Sequence, residues 1–267
     1  MNSKEIIDIA LNFSFFGLGD HLLSTAALKQ LYKKTNRRLI IVSHYPNLFE
    51  QEEYCYRSFH YSIFAFEDIL KNLENIGNIY NFNYITKNYL LNNVHVTEAY
   101  CENLNLPLSK NFGLKFLEKE EEFFKKRFNF NKPFIYFDLG NTDIDPALNE
   151  SYWYKKNCDL MYQNKLFNIL KNEYKDYVIL TPTDTIKLGG RSFVWFIQQC
   201  KSFISIDTAV SHICENVKKG LVLWNNETYI KKWGHEYHKN ILSPVTKLSP
   251  NINIDEIIEE FKLIIKD

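Results

Sequence analysis

Two short stretches hold residues whose types and spacing could handle an anion and a proton. The first is Ser205-Ile206-Asp207-Thr208-Ala209-Val210-Ser211-His212. The apolar run Phe203 to Ile206 reads as a short buried strand. Asp207 or Thr208 then caps a helix that carries Thr208 and His212 one turn apart on one face. A strand that opens through a cap into a helix presents main-chain N–H groups and a positive dipole end, the setting for a diphosphate or another anion. The same octapeptide also reads as an ordinary cap followed by a surface histidine. The second stretch is Gly17-Leu18-Gly19-Asp20. Asp20 there is either a helix N-cap or a carboxylate at the mouth of a sheet, where ligands lie in open α/β proteins.

These residues need strands that end beside them. Ile6 to Phe16 reads as a first buried strand, and His21 to Lys34 follows with Leu22, Leu23, Ala26, Ala27 and Leu31 at helical spacing. Arg38 to Ser43 is a second strand, completing a β-α-β unit. The third glycine of a dinucleotide fingerprint is absent, because position 22 is Leu, and this argues against a nicotinamide oxidoreductase. The pattern is looser up to Asn93, with a helix expected over Phe66 to Leu73 and a strand over Ile79 to Ile85. Val96 to Leu104 and Leu117 to Phe128 read as helices. Lys125 to Lys132 mixes basic and aromatic residues, as a solvated helix end or a lipid or polyanion contact would.

Asn131-Lys132-Pro133 marks a domain boundary, giving domains over residues 1–131 and 132–267. Beyond it come strands at Phe134 to Asp138, Tyr177 to Thr181, Phe203 to Ile206 and Gly220 to Trp224. Helices alternate with them at Asp159 to Tyr174, Arg191 to Cys200 and Ala209 to Val217. Ile254 to Ile265 is a closing amphipathic helix, read as packing back on the first domain. Strict alternation of short strands and helices implies a parallel sheet covered on both faces.

Composition bounds the partners. Lys and Arg balance Asp and Glu at 32 each, so net charge points neither to nucleic acid nor to an anionic membrane. The five cysteines are widely spaced with no C-x-x-C pair, which fits reduced thiols and neither a disulfide framework nor a zinc site. No apolar run approaches the roughly 18 residues of a membrane span, and Met-Asn-Ser-Lys-Glu has no signal-peptide pattern. The expectation is a cytoplasmic protein whose membrane contact, if any, is peripheral, at the inner face.

The run Gly17-Leu18-Gly19-Asp20-His21-Leu22-Leu23-Ser24-Thr25-Ala26-Ala27-Leu28, the segment His95 to Tyr100, and Ile204 to Ile213 followed by Lys219-Gly220-Leu221-Val222-Leu223-Trp224 occur in one order along the chain. Together they resemble the heptosyltransferase-type glycosyltransferases of family 9. The resemblance implies a GT-B fold, two Rossmann-like domains whose parallel sheets face a central cleft. It implies an inverting, metal-independent transfer from a nucleotide-diphosphate sugar, ADP-heptose-like, to a glycan or glycolipid acceptor such as lipooligosaccharide or capsule. A second reading is a non-catalytic nucleotide-sugar-binding protein of the same fold. The chain departs from the family pattern at Ala209, where glycine is usual, and around Trp153, which no lysine closely precedes.

Under that resemblance Asp20 is the base, with Gly17, Gly19 and His21 on the acceptor side. Donor contacts are expected from Asn141, Thr142, Thr183, Asp184, Leu188, Asp207, Thr208, Ala209 and His212, with Lys155 or Lys156 as a phosphate contact. Asp143-Ile144-Asp145 has the spacing of a metal motif and reads as that or as solvated loop carboxylates. Trp233 to His238 holds two histidines and a carboxylate, read as a structural or cleft-lining loop in preference to a metal site.

Overall fold

The computed structural model describes residues 6–13, 15, 17–62, 75–140, 158–215, 217–243 and 252–266. The chain forms two compact units, residues 1–121 and 122–267. The helix expected at Phe66 to Leu73 lies outside the described residues, as do Asn141, Thr142, Asp143, Asp145, Trp153, Lys155 and Lys156.

In the first unit, β1 (Ile7–Asn12), β2 (Leu39–Ser43), β3 (Cys55–His60) and β4 (Ile76–Asn81) form one sheet in the order β3-β2-β1-β4. All three pairings are parallel. The two inner strands read as continuous apolar runs because both faces are covered: Ile9, Ala10 and Leu39 to Val42 are buried. Asp8 is the polar exception on β1. Its Oδ1 accepts the Asn78 main-chain N–H at 2.7 Å and faces Arg37 at 3.4 Å, at the point where β1 and β4 slip register. One oxygen of this buried carboxylate is thereby partnered where ladder pairing is interrupted, while Oδ2 is buried without a hydrogen bond. After β1, α1 (Leu18–Thr35) buries Leu22, Leu23, Ala26, Ala27, Leu28 and Leu31. Following α2 (Lys87–Asn92), α3 (Val96–Asn103) packs on α1 and buries Val96, Ala99 and Tyr100.

The first strand is shorter than its apolar run suggests, stopping at Asn12, and α1 begins at Leu18, three residues before the helix read from the sequence. Gly17 is the N-cap, with φ −74° and ψ 140°. Asp20 therefore lies in the first helical turn and is not the cap residue.

In the second unit, α4 (Glu118–Arg127) enters from the division point. Its Phe124 and the following Phe128 set their rings 5.4 and 6.1 Å from Trp195, and Phe128 and Phe130 lie beside Phe196. The aromatic half of the Lys125 to Lys132 stretch is therefore largely spent on internal packing. The sheet runs β6-β5-β7-β8-β9, all parallel, from β5 (Phe134–Asp138), β6 (Val178–Leu180), β7 (Ser202–Ile206), β8 (Leu221–Trp224) and β9 (Lys239–Leu242). The helices are α5 (Leu160–Glu173), α6 (Pro182–Thr185), α7 (Gly190–Gln198), α8 (Ala209–Ile213), α9 (Glu227–Trp233) and α10 (Ile254–Lys266).

The closing helix contributes to the core of the second unit. The apolar face of α10 (Ile254, Ile257, Ile258, Phe261, Ile264 and Ile265) joins the core of the second unit, with Leu166 and Leu170 of α5 and with Ile204, Leu221 and Leu223 of the sheet. Its spacing of three and four residues matches the one buried stripe that such packing needs. No helix among the described residues is long and apolar enough to cross a membrane.

Gly220 enters β8 against the buried Phe203 ring. A Cβ there would stand 2.2 Å from Phe203 Cε1, well inside contact. Phe203 is fully buried and meets His238 edge-on at 5.0 Å, so the ring has little room to yield. Gly220→Ala is expected to destabilise the second unit by about 1–3 kcal/mol, as overpacking does. Urea unfolding checks it, and an unchanged midpoint would show the ring free to move.

Candidate functional site

In each sheet the strand order reverses at one point, and open α/β sheets take ligands beyond the carboxyl ends of the strands there. In the first sheet that point lies between β1 and β4, and in the second between β5 and β7. The glycine-aspartate stretch follows β1, and the Asp207-Thr208 stretch follows β7.

At the first point Asp20 occupies the first turn of α1. Its carboxylate folds back over Gly17, so that a Cβ on Gly17 would lie 2.5 Å from Oδ2. The helix start favours an anion in that place. Burial, and after it the Asp20 charge, raise the hydroxyls of Tyr45 and Tyr100, which sets this carboxylate near both. His21 is buried, and its ring joins strand to helix: Nδ1 lies 2.9 Å from Gly17 O and Nε2 2.9 Å from Asn12 O. Burial pushes its pKa down to about 4, so the neutral ring donates to one of these carbonyls at a time. Asn12 Nδ2 donates to Ser24 Oγ at 2.8 Å, and Ser24 Oγ donates to His21 O at 2.7 Å, locking the turn further. His21, expected on the acceptor side, is thus a tether, and Gly19 is buried in the same turn.

The sequence reading missed the rim beside it. His44-Tyr45 follows β2 directly, and Tyr61 follows His60, the last residue of the neighbouring β3. The His44 and Tyr61 rings are 4.0 Å apart, His60 and Tyr61 4.8 Å, and His21 and Tyr45 5.2 Å. Phe13 lies 6.2 Å from Tyr61, and both are exposed. His44 Nε2 approaches Phe13 O at 3.1 Å. The signal available in the sequence was a His-Tyr pair repeated at two strand ends.

At the second point Thr208 is the N-cap residue of α8, with φ −131° and ψ 174°, and its hydroxyl makes no capping bond. Ser211 Oγ donates instead to Thr208 O at 2.8 Å. The helix is also shorter than its sequence suggests, ending at Ile213. Asp138, at the end of β5, is paired in register with Ser205. Burial raises the pKa of its carboxyl, opposed by the Thr208 side chain and by the Gly140 N–H, whose nitrogen is 3.3 Å from Oδ1. Gly140 carries φ +116°, a left-handed conformation that glycine permits, and so turns the chain away from the strand end. Asp138 was read only as a strand terminus; its signal was a carboxylate closing a strand at the reversal point.

His212 and Asp207 are buried together, with Nε2 3.7 Å from Asp207 Oδ1. The other ring nitrogen, Nδ1, lies 2.7 Å from His235 Nε2. His235 and His238, from the Trp233 to His238 loop, are thus buried parts of this neighbourhood. Ala209 opens α8 beside Thr208 and is partly exposed.

Asp184 does not end a strand. β6 stops at Leu180, and Asp184 lies in α6, where Oδ2 accepts the Thr181 N–H at 2.7 Å and the Thr181 hydroxyl at 2.9 Å. This capping box commits the carboxylate to the turn. Thr183 is exposed on the same turn, and the Leu188 N–H donates to Thr185 O at 2.9 Å. Among the described residues no group of three or more His, Cys, Asp or Glu side chains is arranged to hold a metal ion.

No protein-family model and no curated protein matches the sequence. Solved structures do match the fold. A family 9 glycosyltransferase from Veillonella parvula superposes with a TM-score of 0.66 at 10% identity, over 98% of this chain and 98% of that one. The E. coli heptosyltransferase WaaC with ADP matches with a TM-score of 0.61 at 10% identity, over 97% and 99%. E. coli ADP-heptose LPS heptosyltransferase II gives 0.57 at 12% identity, over 97% and 98%. The chain has the fold of these glycosyltransferases.

Proposed function

We propose that this protein is a glycosyltransferase that moves a sugar, heptose-like, from a nucleotide diphosphate on the second unit to a glycan or glycolipid hydroxyl on the first. The anomeric centre inverts, and no metal takes part. The observation that carries this reading is the landing of both sequence motifs at sheet reversal points. Asp20 stands at one and Asp207-Thr208-Ala209 at the other. The fold shared with heptosyltransferases, one of them holding ADP, supports a nucleotide donor and favours ADP among the nucleotides. The work takes place in the cytoplasm, with any membrane contact peripheral.

Asp20 accepts the proton of the acceptor hydroxyl as that oxygen attacks the anomeric carbon. The bond from that carbon to the diphosphate oxygen breaks, and the negative charge passes to the leaving group. Main-chain N–H groups of residues 208–210, the Thr208 hydroxyl and His212 receive it. The rings of Phe13, His44, Tyr45 and Tyr61 offer flat faces against which an acceptor sugar stacks.

A panel of ADP-, GDP-, UDP- and CMP-sugars tests the reading. One of them, ADP-linked first, is expected to raise the melting temperature. At a hundredfold excess over its Kd the stabilisation is about 2.7 kcal/mol. Release of nucleotide in the presence of a glycan acceptor then separates an enzyme from a protein that only binds the donor. No shift with any of the four would overturn the proposal.

A further inference from the structure

The buried Asp207, His212 and His235 and the partly exposed Glu215 form one line beside Thr208. His212 Nε2 faces Asp207 Oδ1 at 3.7 Å, His212 Nδ1 meets His235 Nε2 at 2.7 Å, and His235 Nδ1 faces Glu215 Oε2 at 3.6 Å. The two rings stand at 85°, with centroids 5.0 Å apart. An N···N contact of this length is a hydrogen bond only if one nitrogen carries the proton and the other is bare. Four protons on the four ring nitrogens would break it. Two protons would aim a bare nitrogen at one of the two carboxylates. Three protons suit all three of these contacts, giving one imidazolium and one neutral ring between two carboxylates.

We infer that His212 and His235 share a single positive charge, moved by one proton hop between them, and that His235 and Glu215 are positioning residues that hold it ready for the leaving group. When the proton sits on His235 Nε2, the charge lies beside Glu215. When it crosses to His212 Nδ1, His235 becomes neutral and the charge lies on the ring next to Asp207 and Thr208. No proton is gained or lost, and no bond other than N–H changes. A cation would thus come forward as negative charge builds on a diphosphate. This function for the pair rests on the transferase reading, whereas the shared charge itself does not.

Other titratable and charged groups surround the pair. His238, on the same loop as His235, donates Nε2–H to Ser211 O at 2.8 Å, and burial brings its pKa down to about 4, so it is a neutral neighbour of Glu215. Burial holds the Cys214 thiol protonated. From α9 the Trp233 ring lies 6.1 Å from His212 and carries no charge. α7, packed on α8, carries the buried Arg191, a fixed cation.

Histidine-selective nitrogen-15 NMR on the full chain, titrated across pH, reads the pair without any substrate. The expected result is one shared titration for His212 and His235 with its midpoint above the ordinary histidine value. In Glu215→Gln the midpoint falls by about one pH unit. His235→Gln keeps a hydrogen-bonding side chain but cannot pass the charge, and there His212 titrates alone. Two independent histidines in the wild type, or a midpoint unmoved by Glu215→Gln, would overturn the inference. In a transfer assay the alkaline fall in kcat should move down by the same interval in Glu215→Gln, while the donor KM stays within about twofold. A limb that stays in place would also overturn it. A normal NMR result with no turnover on any nucleotide sugar would instead sink the transferase reading and leave the shared charge standing.

Discussion

Asp20→Asn is expected to slow acceptor-dependent nucleotide release by about 10²–10⁴-fold, the range seen when a positioned base is lost. The amide has nearly the shape of the carboxylate and can keep the seat over Gly17, where Oδ2 now lies. It cannot take a proton from a hydroxyl. Donor affinity should stay within about twofold, because the proposed donor contacts sit on the other unit and uniform binding is untouched. Some stability will go as well. An acidic residue in the first turn of α1 complements the helix start and is worth about 0.3–1 kcal/mol, so the variant should still fold. Steady-state release with and without acceptor, beside a melting curve, reads all three quantities. Equal rates in wild type and variant would remove Asp20 from the chemistry.

The parts of the fold legible in the sequence were those buried on two sides. β2, β5, β7 and β8 are short apolar runs with a covered residue at nearly every position, and each was placed to within a residue or two. Of the four edge strands, β4 was read about three residues late and β6 to within a residue, while β3 and β9 escaped. β3 reads Cys-Tyr-Arg-Ser-Phe-His and β9 reads Lys-Asn-Ile-Leu, each with an open side that accepts polar residues, so neither periodicity survives. α9 was missed for a related reason, since only Trp233 of that helix is buried.

The site divided along similar lines. The placement of Asp20 and Thr208 just after strand ends was legible because a turn motif after an apolar run is local information. The His212–His235 contact joins residues 23 apart, and the Asp138 to Ser205 register joins two strands with β6 between them in the chain. Contacts of that kind come from sheet order, and one sequence does not display sheet order. The loop from Trp233 to His238 showed its histidines plainly, but their hydrogen bond to α8 depends on β8 and β9 lying side by side.

Acidification is expected to weaken both units through two histidines in regular hydrogen bonds. His21 and His238 each titrate near 4 in the folded protein, against 6.5 for a free side chain, and burial is the main cause for both. The folded pKa is the lower one, so the unfolded chain binds more protons between these values, and stability rises with pH across that window. The contribution is complete above about pH 6.5, is lost as the pH falls toward 4, and changes little below that. Each gap of about 2.5 is worth on the order of 3 kcal/mol, of which about 2 has gone by pH 5. His21 acts on the first unit and His238 on the second. Asp138 works in the opposite sense, because its raised pKa means that the folded state holds its proton more tightly. Asp138 and the shared charge of His212 and His235 all lie in the second unit, so the first should show the cleaner loss. Urea unfolding at pH 7.5, 6 and 5 measures the slope. His238→Gln can still donate to Ser211 O but does not titrate; it should remove about 2 kcal/mol of the difference between pH 7.5 and 5 while lowering stability at pH 7.5 by less than that. A pH slope that is the same in this variant and in the wild type would mean that the His238 ring is charged in the folded protein, and the neutral neighbour required beside Glu215 would be gone.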